Sequence, residues 1–316
     1  MISLLDLSKQ FGTTKAVNHL TLEVNQGDIF GLIGPDGAGK TTTLRIISTA
    51  MELTTGRVTV GEYDVSQNPE AVKRIIGYMP QRFALYPDLT VLENLNFFAD
   101  MFGSPRAERG GLIERLLNFA RLTDFQDRLA RNLSGGMQKK LALASTLMHR
   151  PRVLLLDEPT TGVDPVSRRE FWDLLTEVHL QGVTIIISTP YLDEAERCTR
   201  VGLMYRGELI AIDTPTNLRT NINAAVFEAQ TVNAREARRM VEGHEGALSI
   251  SAHGDLLRLI LDRPERMKEL QQVWQAQDID VHDIRVARPR LEDVFVLRVG
   301  NVNSALPTSV PARLTQ

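Results

Sequence analysis

One cysteine, Cys198, stands in 316 residues, so no disulfide can form within the chain and the fold must rest on burial and hydrogen bonding. Long apolar runs are missing too. The best candidates, Val153 to Leu156 and the run around Ile185 to Ile187, fall far short of the ~20 residues of a membrane-spanning helix. Residues 1–24 mix acidic, basic and polar side chains, without the apolar centre of a secretory signal. Both absences point to a reducing, cytoplasmic setting. Basic excess is also lacking: 36 Lys and Arg face 39 Asp and Glu, for a net charge of -3, which removes the global electrostatic footprint of a nucleic-acid binder. What remains is a chain with 43% hydrophobic residues, long enough for about two domains with a sizeable core.

Within it, Gly34-Pro35-Asp36-Gly37-Ala38-Gly39-Lys40-Thr41 fits G-x-x-x-x-G-K-[ST]. The apolar run from Asp28 to Ile33 precedes it as a strand, and Thr42 to Ile47 follows as a helix without Gly or Pro. In that setting the glycines turn backbone N–H groups toward phosphates, and the helix start adds its positive end. Lys40 reaches the β- and γ-phosphates and the Thr41 hydroxyl is a Mg²⁺ ligand. Thr42 completes the loop's exit. The expected ligand is a nucleoside triphosphate with Mg²⁺.

In chain order, Ile2 to Leu7 and Leu20 to Val24 alternate apolar and polar positions around the turn at Phe11 to Thr14, reading as antiparallel strands. Phe11 reads equally as an adenine-stacking aromatic and as strand-end packing. Strand-like runs follow at Gly56 to Gly61 and Ile75 to Gln81. Gln81, just past a strand end, is placed to complete a Mg²⁺ shell or to position attacking water. Residues 82–150 turn helical, with Leu92, Leu95, Phe98, Ala99 and Phe102, and then Leu112, Leu116, Leu117 and Ala120, at helical spacing. Thr90 and Glu93 have capping-box spacing.

Leu133-Ser134-Gly135-Gly136-Met137-Gln138 starts another helix, with Ser134 as cap and two glycines exposing N–H groups, a second anion site. The strand Val153 to Leu156 then ends in Asp157 and Glu158, carboxylates suited to hold Mg²⁺ and to polarise the attacking water. A turn at Thr161 to Pro165, the helix Ser167 to Leu180 and the strand Val183 to Thr189 continue the alternation of a mainly parallel sheet.

The ordered set GPDGAGKT, Gln81, LSGGMQ, LLLDEP and the Asp164 turn resembles the nucleotide-binding subunit of an ABC transporter over about residues 1–220. LSGGMQ downstream of a Walker A loop is the specific part. The resemblance implies an α/β P-loop NTPase core, a mainly parallel sheet with helices on both faces, an antiparallel β-subdomain and a helical insertion at about 82–150. It also implies head-to-tail dimerisation, with Ser134, Gly135, Gly136, Met137 and Gln138 of one subunit covering the ATP held by the other, and counts Asp164 among the nucleotide-binding residues. Lys40, Gln81 and Glu158 are then catalytic, and Thr41, Gln81 and Asp157 hold the metal.

The phrases Tyr86 to Leu95 and Leu291-Glu292-Asp293-Val294-Phe295 are similar to ATPases of ABC-2 type exporters, the drug-resistance and polysaccharide branch. That branch implies membrane-spanning permease partners, a second ATPase subunit, and a peripheral place at the cytoplasmic face of the cell membrane. Residues near Phe83 to Leu89, with Phe83, Leu85 and Tyr86 as anchors, read equally as part of the permease contact and as side chains buried within the helical insertion itself, and no nucleic acid is expected. Two departures stand out. Asp36 replaces the common Asn or Ser, and Pro190 replaces the switch histidine after Ser-Thr, so one γ-phosphate contact is missing. A weakly hydrolysing regulatory subunit is the alternative that Pro190 supports, against the intact Glu158. A soluble ABC ATPase acting on ribosomes or DNA would show a second cassette or long heptads, and the sequence has neither.

Residues 221–299 read as βαββαβ, a small ferredoxin-like α+β domain. Residues 300–316 read as a disordered tail.

Overall fold

The computed structural model describes residues 1–82 and 85–305; Phe83 and the last eleven residues lie outside them. Two units divide the chain, 1–212 and 213–316.

In the first unit, a six-stranded sheet runs in the order Glu208–Asp213, Arg200–Tyr205, Ile29–Ile33, Thr184–Thr189, Val153–Asp157, Ile76–Met79. The five strands from Arg200–Tyr205 to Ile76–Met79 pair in parallel. Ile29–Ile33, Val153–Asp157 and Thr184–Thr189 are buried at every position, which explains why their sequences run apolar instead of alternating. A second, antiparallel sheet has the order Thr14–Val24, Ile2–Phe11, Thr55–Val60, Tyr63–Asp64. Leu4, Leu22 and Val60 from this sheet, Leu155 and Ile186 from the other and Leu44, Ile46 and Ile47 of the helix Lys40–Ile47 share one core. Each such side chain removed from water contributes about 1.5–3 kcal/mol.

The helices Val91–Met101, Arg106–Ala120 and Gly135–Thr146 form a separate cluster around Leu95, Phe98, Leu116, Leu117, Leu141 and Met148. Its first helix starts at the capping box: Thr90 Oγ1 accepts from Glu93 N at 3.1 Å, and Thr90 N donates to Glu93 Oε2 at 2.8 Å. Tyr86 remains exposed and its ring lies 4.3 Å from that of Phe97, while Leu85 packs at the edge of the cluster.

The second unit has the order strand Ala225–Gln230, helix Ala234–Val241, strands Ala247–His253 and Leu256–Leu261, helix Arg266–Ala276, strand His282–Val286. Its strands pair antiparallel in the sheet order second, third, first, fourth, the ferredoxin-like arrangement. Both helices cover one face through Ala237, Val241, Met267, Leu270 and Trp274. Two segments differ from expectation. The boundary expected at residue 220 falls at 212, because the short helix Pro215–Thr220 belongs to this unit, where it packs on the helix Leu291–Ala305. That last helix also carries residues 300–305, assigned above to a disordered tail.

Candidate nucleotide site

Strand order sets the site. Ile29–Ile33 delivers the loop from Gly34, Val153–Asp157 delivers the acidic pair, and Thr184–Thr189 runs between them, so all three carboxyl ends meet at one edge of the sheet, where ligands of open α/β sheets bind. Pro35, Asp36 and Gly37 are exposed at the loop crest, while Ala38 is buried and its carbonyl accepts from Gly207 N at 3.0 Å. Gly39 caps the helix at φ 102°, where a Cβ would lie 2.5 Å from the Ala16 carbonyl oxygen. Only glycine lets the chain turn there.

Lys40 is 3% exposed. Its ammonium donates to the Gly34 and Pro35 carbonyls at 2.7 and 3.1 Å and lies 3.2 Å from Glu158 Oε1. Glu158 Oε2 accepts from Gln81 Nε2 at 2.8 Å. Glu158 itself has φ 47°, a left-handed conformation that costs a non-glycine residue about 1 kcal/mol and clusters at functional positions. Two acceptors of Ser188, its carbonyl and its hydroxyl, hold the Glu158 N–H at 3.1 Å each.

Asp157 is fully buried. Its Oδ1 accepts from the Thr41 hydroxyl at 2.9 Å and from Ser188 Oγ at 2.7 Å, whereas its buried Oδ2 has no hydrogen-bond partner. A buried carboxylate oxygen without a donor costs several kcal/mol unless a cation meets it. Thr41 and Asp157 therefore fit a divalent ion. Burial, followed by the negative charge of Asp157, pushes the nearby Tyr78 phenol up against the opposing pull of Arg45.

Expected residues thus fall into two groups. Lys40, Thr41, Gln81, Asp157 and Glu158 are brought together, with Gln81 bonded to Glu158 and not to Thr41 or Asp157. No hydrogen bond among the described residues joins Phe11, Ser134 or Asp164 to the loop. Phe11 is 48% exposed with the Lys9 ammonium 5.1 Å from its ring centroid. The Asp164 carboxylate caps the helix Pro165–Leu180, accepting from Val166 N and Ser167 N at 3.0 Å. The Ser167 N–H, foremost, holds its pKa below the usual aspartate value.

Ser134 is exposed and caps its helix by accepting from Met137 N at 3.3 Å. Gly136 is required by packing, since a Cβ would meet Ser167 Oγ at 2.4 Å, while Gly135 faces open space. The side chain of Met137 packs on the helical cluster and Gln138 Nε2 donates to the Ala130 carbonyl at 3.0 Å. That leaves Ser134 and the glycine backbone as the exposed polar groups of the motif.

Sequence reasoning missed Ser188 and Lys139. Lys139 Nζ donates to the Gln81 carbonyl at 3.0 Å, and burial lowers its pKa against the opposing pull of Asp157 and Glu158. Ser188 precedes the Thr189-Pro190 strand end by one residue, which was its only signal.

The family model described as ABC transporter matches residues 17–161. The probable multidrug ABC transporter ATP-binding protein YbhF of Escherichia coli (strain K12) is 39% identical over 313 residues, 96% of this chain and 53% of that protein. This chain therefore spans about half the length of that relative. The daunorubicin resistance ATP-binding protein DrrA2 of Streptomyces coeruleorubidus is 35% identical over 303 residues, 93% of this chain and 94% of the other. Among solved structures, a dimeric ATP-binding cassette in a post-hydrolysis state, bound to ADP and Pi, is similar with a TM-score of 0.62 and 26% identity, covering 68% of this chain and 98% of that one. Near full-length similarity to a drug-resistance ATP-binding protein, added to a Walker A loop, a strand-end acidic pair and an LSGG helix in one unit, places this chain in the ABC transporter ATP-binding family.

Proposed function

We propose that the chain hydrolyses ATP to energise an ABC-2 type exporter. Two such subunits, in a homodimer or with a related ATPase, close head to tail and drive separate membrane-spanning permease subunits from the cytoplasmic face of the cell membrane. No helix among the described residues is long and apolar enough to cross a membrane, so the pore belongs to those partners in this reading. The relatives' names, a probable multidrug ABC transporter ATP-binding protein and a daunorubicin resistance ATP-binding protein, support the exporter class.

The observation that carries the proposal is Glu158, buried, strained at φ 47° and held between Lys40 and Gln81. A carboxylate fixed in this way accepts a proton from water as the water oxygen bonds to the γ-phosphorus and the bond to the bridging oxygen of ADP breaks. Lys40 and the loop N–H groups bind and orient the phosphates, and Ser188 keeps the Glu158 backbone in register. Thr41 and Asp157 hold Mg²⁺, with Gln81 as a third candidate ligand; the ion supplies positive charge to the phosphate oxygens. Ser134 and the Gly135 backbone serve the partner's nucleotide.

The test is steady-state ATPase of the purified chain. Glu158→Gln keeps the amide shape but not the charge, so kcat should drop roughly 10² to 10⁴-fold with ATP affinity retained. Turnover equal to the parent's would remove Glu158 from the chemistry. Recovery of a polytopic membrane protein with the tagged chain from solubilised membranes tests the permease.

A further inference from the structure

The helix Gly135–Thr146 begins with the groups assigned above to a partner's nucleotide, but its second turn faces its own chain. Lys139, half-buried there, donates from Nζ to the backbone carbonyl of Gln81 at 3.0 Å. Gln81 Nε2 donates to Glu158 Oε2 at 2.8 Å, and Glu158 Oε1 lies 3.2 Å from Lys40 Nζ. Three consecutive polar contacts therefore connect this helix to the Walker A lysine. The adjacent Lys140 points elsewhere, to Glu170 Oε2 at 2.7 Å, so the two neighbouring lysines have separate tasks. Gln81 is exposed and lies beyond the last residue of its strand, Met79, which leaves no sheet ladder to set its position. A long side chain from a packed helix supplies the missing anchor, as precise placement of a reacting group requires.

We propose that Lys139 is a positioning residue for ATP hydrolysis, fixing Gln81, and through it the Glu158 carboxylate, to the LSGG helix of the same chain. This rests on the ATPase reading above. Lys139 acts on the base and not on the phosphates, so its loss lowers kcat and spares binding.

The experiment compares Lys139→Met and Lys139→Arg in the full chain. The Met variant should lose about tenfold in kcat, with KM and the affinity for a fluorescent ATP analogue within about twofold of the parent. The Arg variant keeps a cationic donor and should recover about half or more of the parent kcat. In a Gln81→Ala background the Met substitution should add less than about twofold, because its route is already gone. Amide hydrogen exchange of the 76–82 segment without nucleotide should speed up in the Met variant and not in the Arg variant. That readout needs no turnover, so a parent chain without ATPase would sink the function proposed above while the exchange still decides the anchor. The inference is overturned by parental kcat in a folded Met variant, by a full tenfold loss on top of Gln81→Ala, by a tenfold loss of nucleotide affinity, or by unchanged exchange.

Discussion

Both units bury charge: Lys40, Asp157 and Glu158 in the first, Arg258, Glu228 and Asp293 in the second, yet the two clusters are closed to different degrees. Arg258 meets Asp293 with both ends of its fork, Nε to Oδ1 at 2.9 Å and Nη2 to Oδ2 at 2.6 Å, and gives Nη1 to Glu228 Oε1 at 2.6 Å. Arg285 donates to the other oxygen, Glu228 Oε2, and Arg290 Nη2 to Oε1 beside Arg258, at 3.0 Å each, and Arg290 N donates to Asp293 Oδ2 at 2.7 Å. Each charged atom there has a partner, and the effect is to tie the helix Leu291–Ala305 to the sheet. In the first unit, by contrast, Asp157 Oδ2 is buried without a partner and Glu158 holds a strained backbone. Satisfied buried charge is architecture; buried charge left open and strained marks a place where a ligand completes the network.

Four substitutions test that contrast. The largest effect belongs to Lys40→Ala, which takes the cation from the phosphates and leaves Glu158 Oε1 without its ion pair. Breaking a buried pair from one side costs about 3–5 kcal/mol, so ATP affinity should fall by roughly 10² to 10³-fold or more, measured by titration calorimetry. Parental affinity would mean that the first cluster is no phosphate site.

Arg258→Met should destabilise the second unit by about 3–5 kcal/mol, since Glu228 and Asp293 are left buried and facing each other. Calorimetry should show a lowered transition, while ATP affinity below that transition stays within about twofold of the parent. An unshifted melt would show that this cluster is not what holds the helix.

Pro190→His comes third. Pro190 directly follows the strand Thr184–Thr189, and Tyr191 N donates to Thr189 Oγ1 at 3.0 Å. A donor restored to the γ-phosphate should raise kcat by roughly 10² to 10³-fold. An unchanged rate in a folded variant would show that another group already serves there.

The smallest effect is a pH dependence. Burial raises the pKa of Glu228, but the hydrogen bond from Arg285 and the charges of Arg258 and Arg290 outweigh it and hold the carboxyl below its usual value. A depressed folded-state pKa contributes stability above the unfolded value of about 4.3, and that stability is lost as pH falls through the folded value. The melting-temperature gap between the parent and Glu228→Gln should therefore shrink as pH drops below about 4. A gap constant with pH would remove Glu228's charge from the account.

Much of the first cluster was legible because its parts are local. The Walker A loop, the capping box at Thr90 and Glu93 and the acidic strand end each lie within a short stretch, and the sheet brings them together at its carboxyl edge. Asp157 and Glu158 were readable from an apolar strand ending in two carboxylates. Ser188 was not, because its hydroxyl reaches Asp157 only through the parallel register that sets Asp157 opposite Ser188. Residues 300–305 were read as part of a disordered tail for a related reason: they continue a helix whose start is anchored by Arg258, far away in sequence.

By itself, then, the amino-acid order determined which strands would be buried on both faces, where helices would begin, and which groups would meet phosphate, since all of these depend on side-chain period and on residues a few positions apart. Tertiary structure alone decided the partnerships. Gln81 and Glu158 are 77 positions apart, Lys139 and Gln81 58, and Arg258 and Asp293 35. Nothing local distinguishes Lys139 from Lys140, yet one anchors the Gln81 carbonyl and the other pairs with Glu170. The reason is geometric: consecutive helical residues point about 100° apart, and only the packing of the helix decides which of them faces the site.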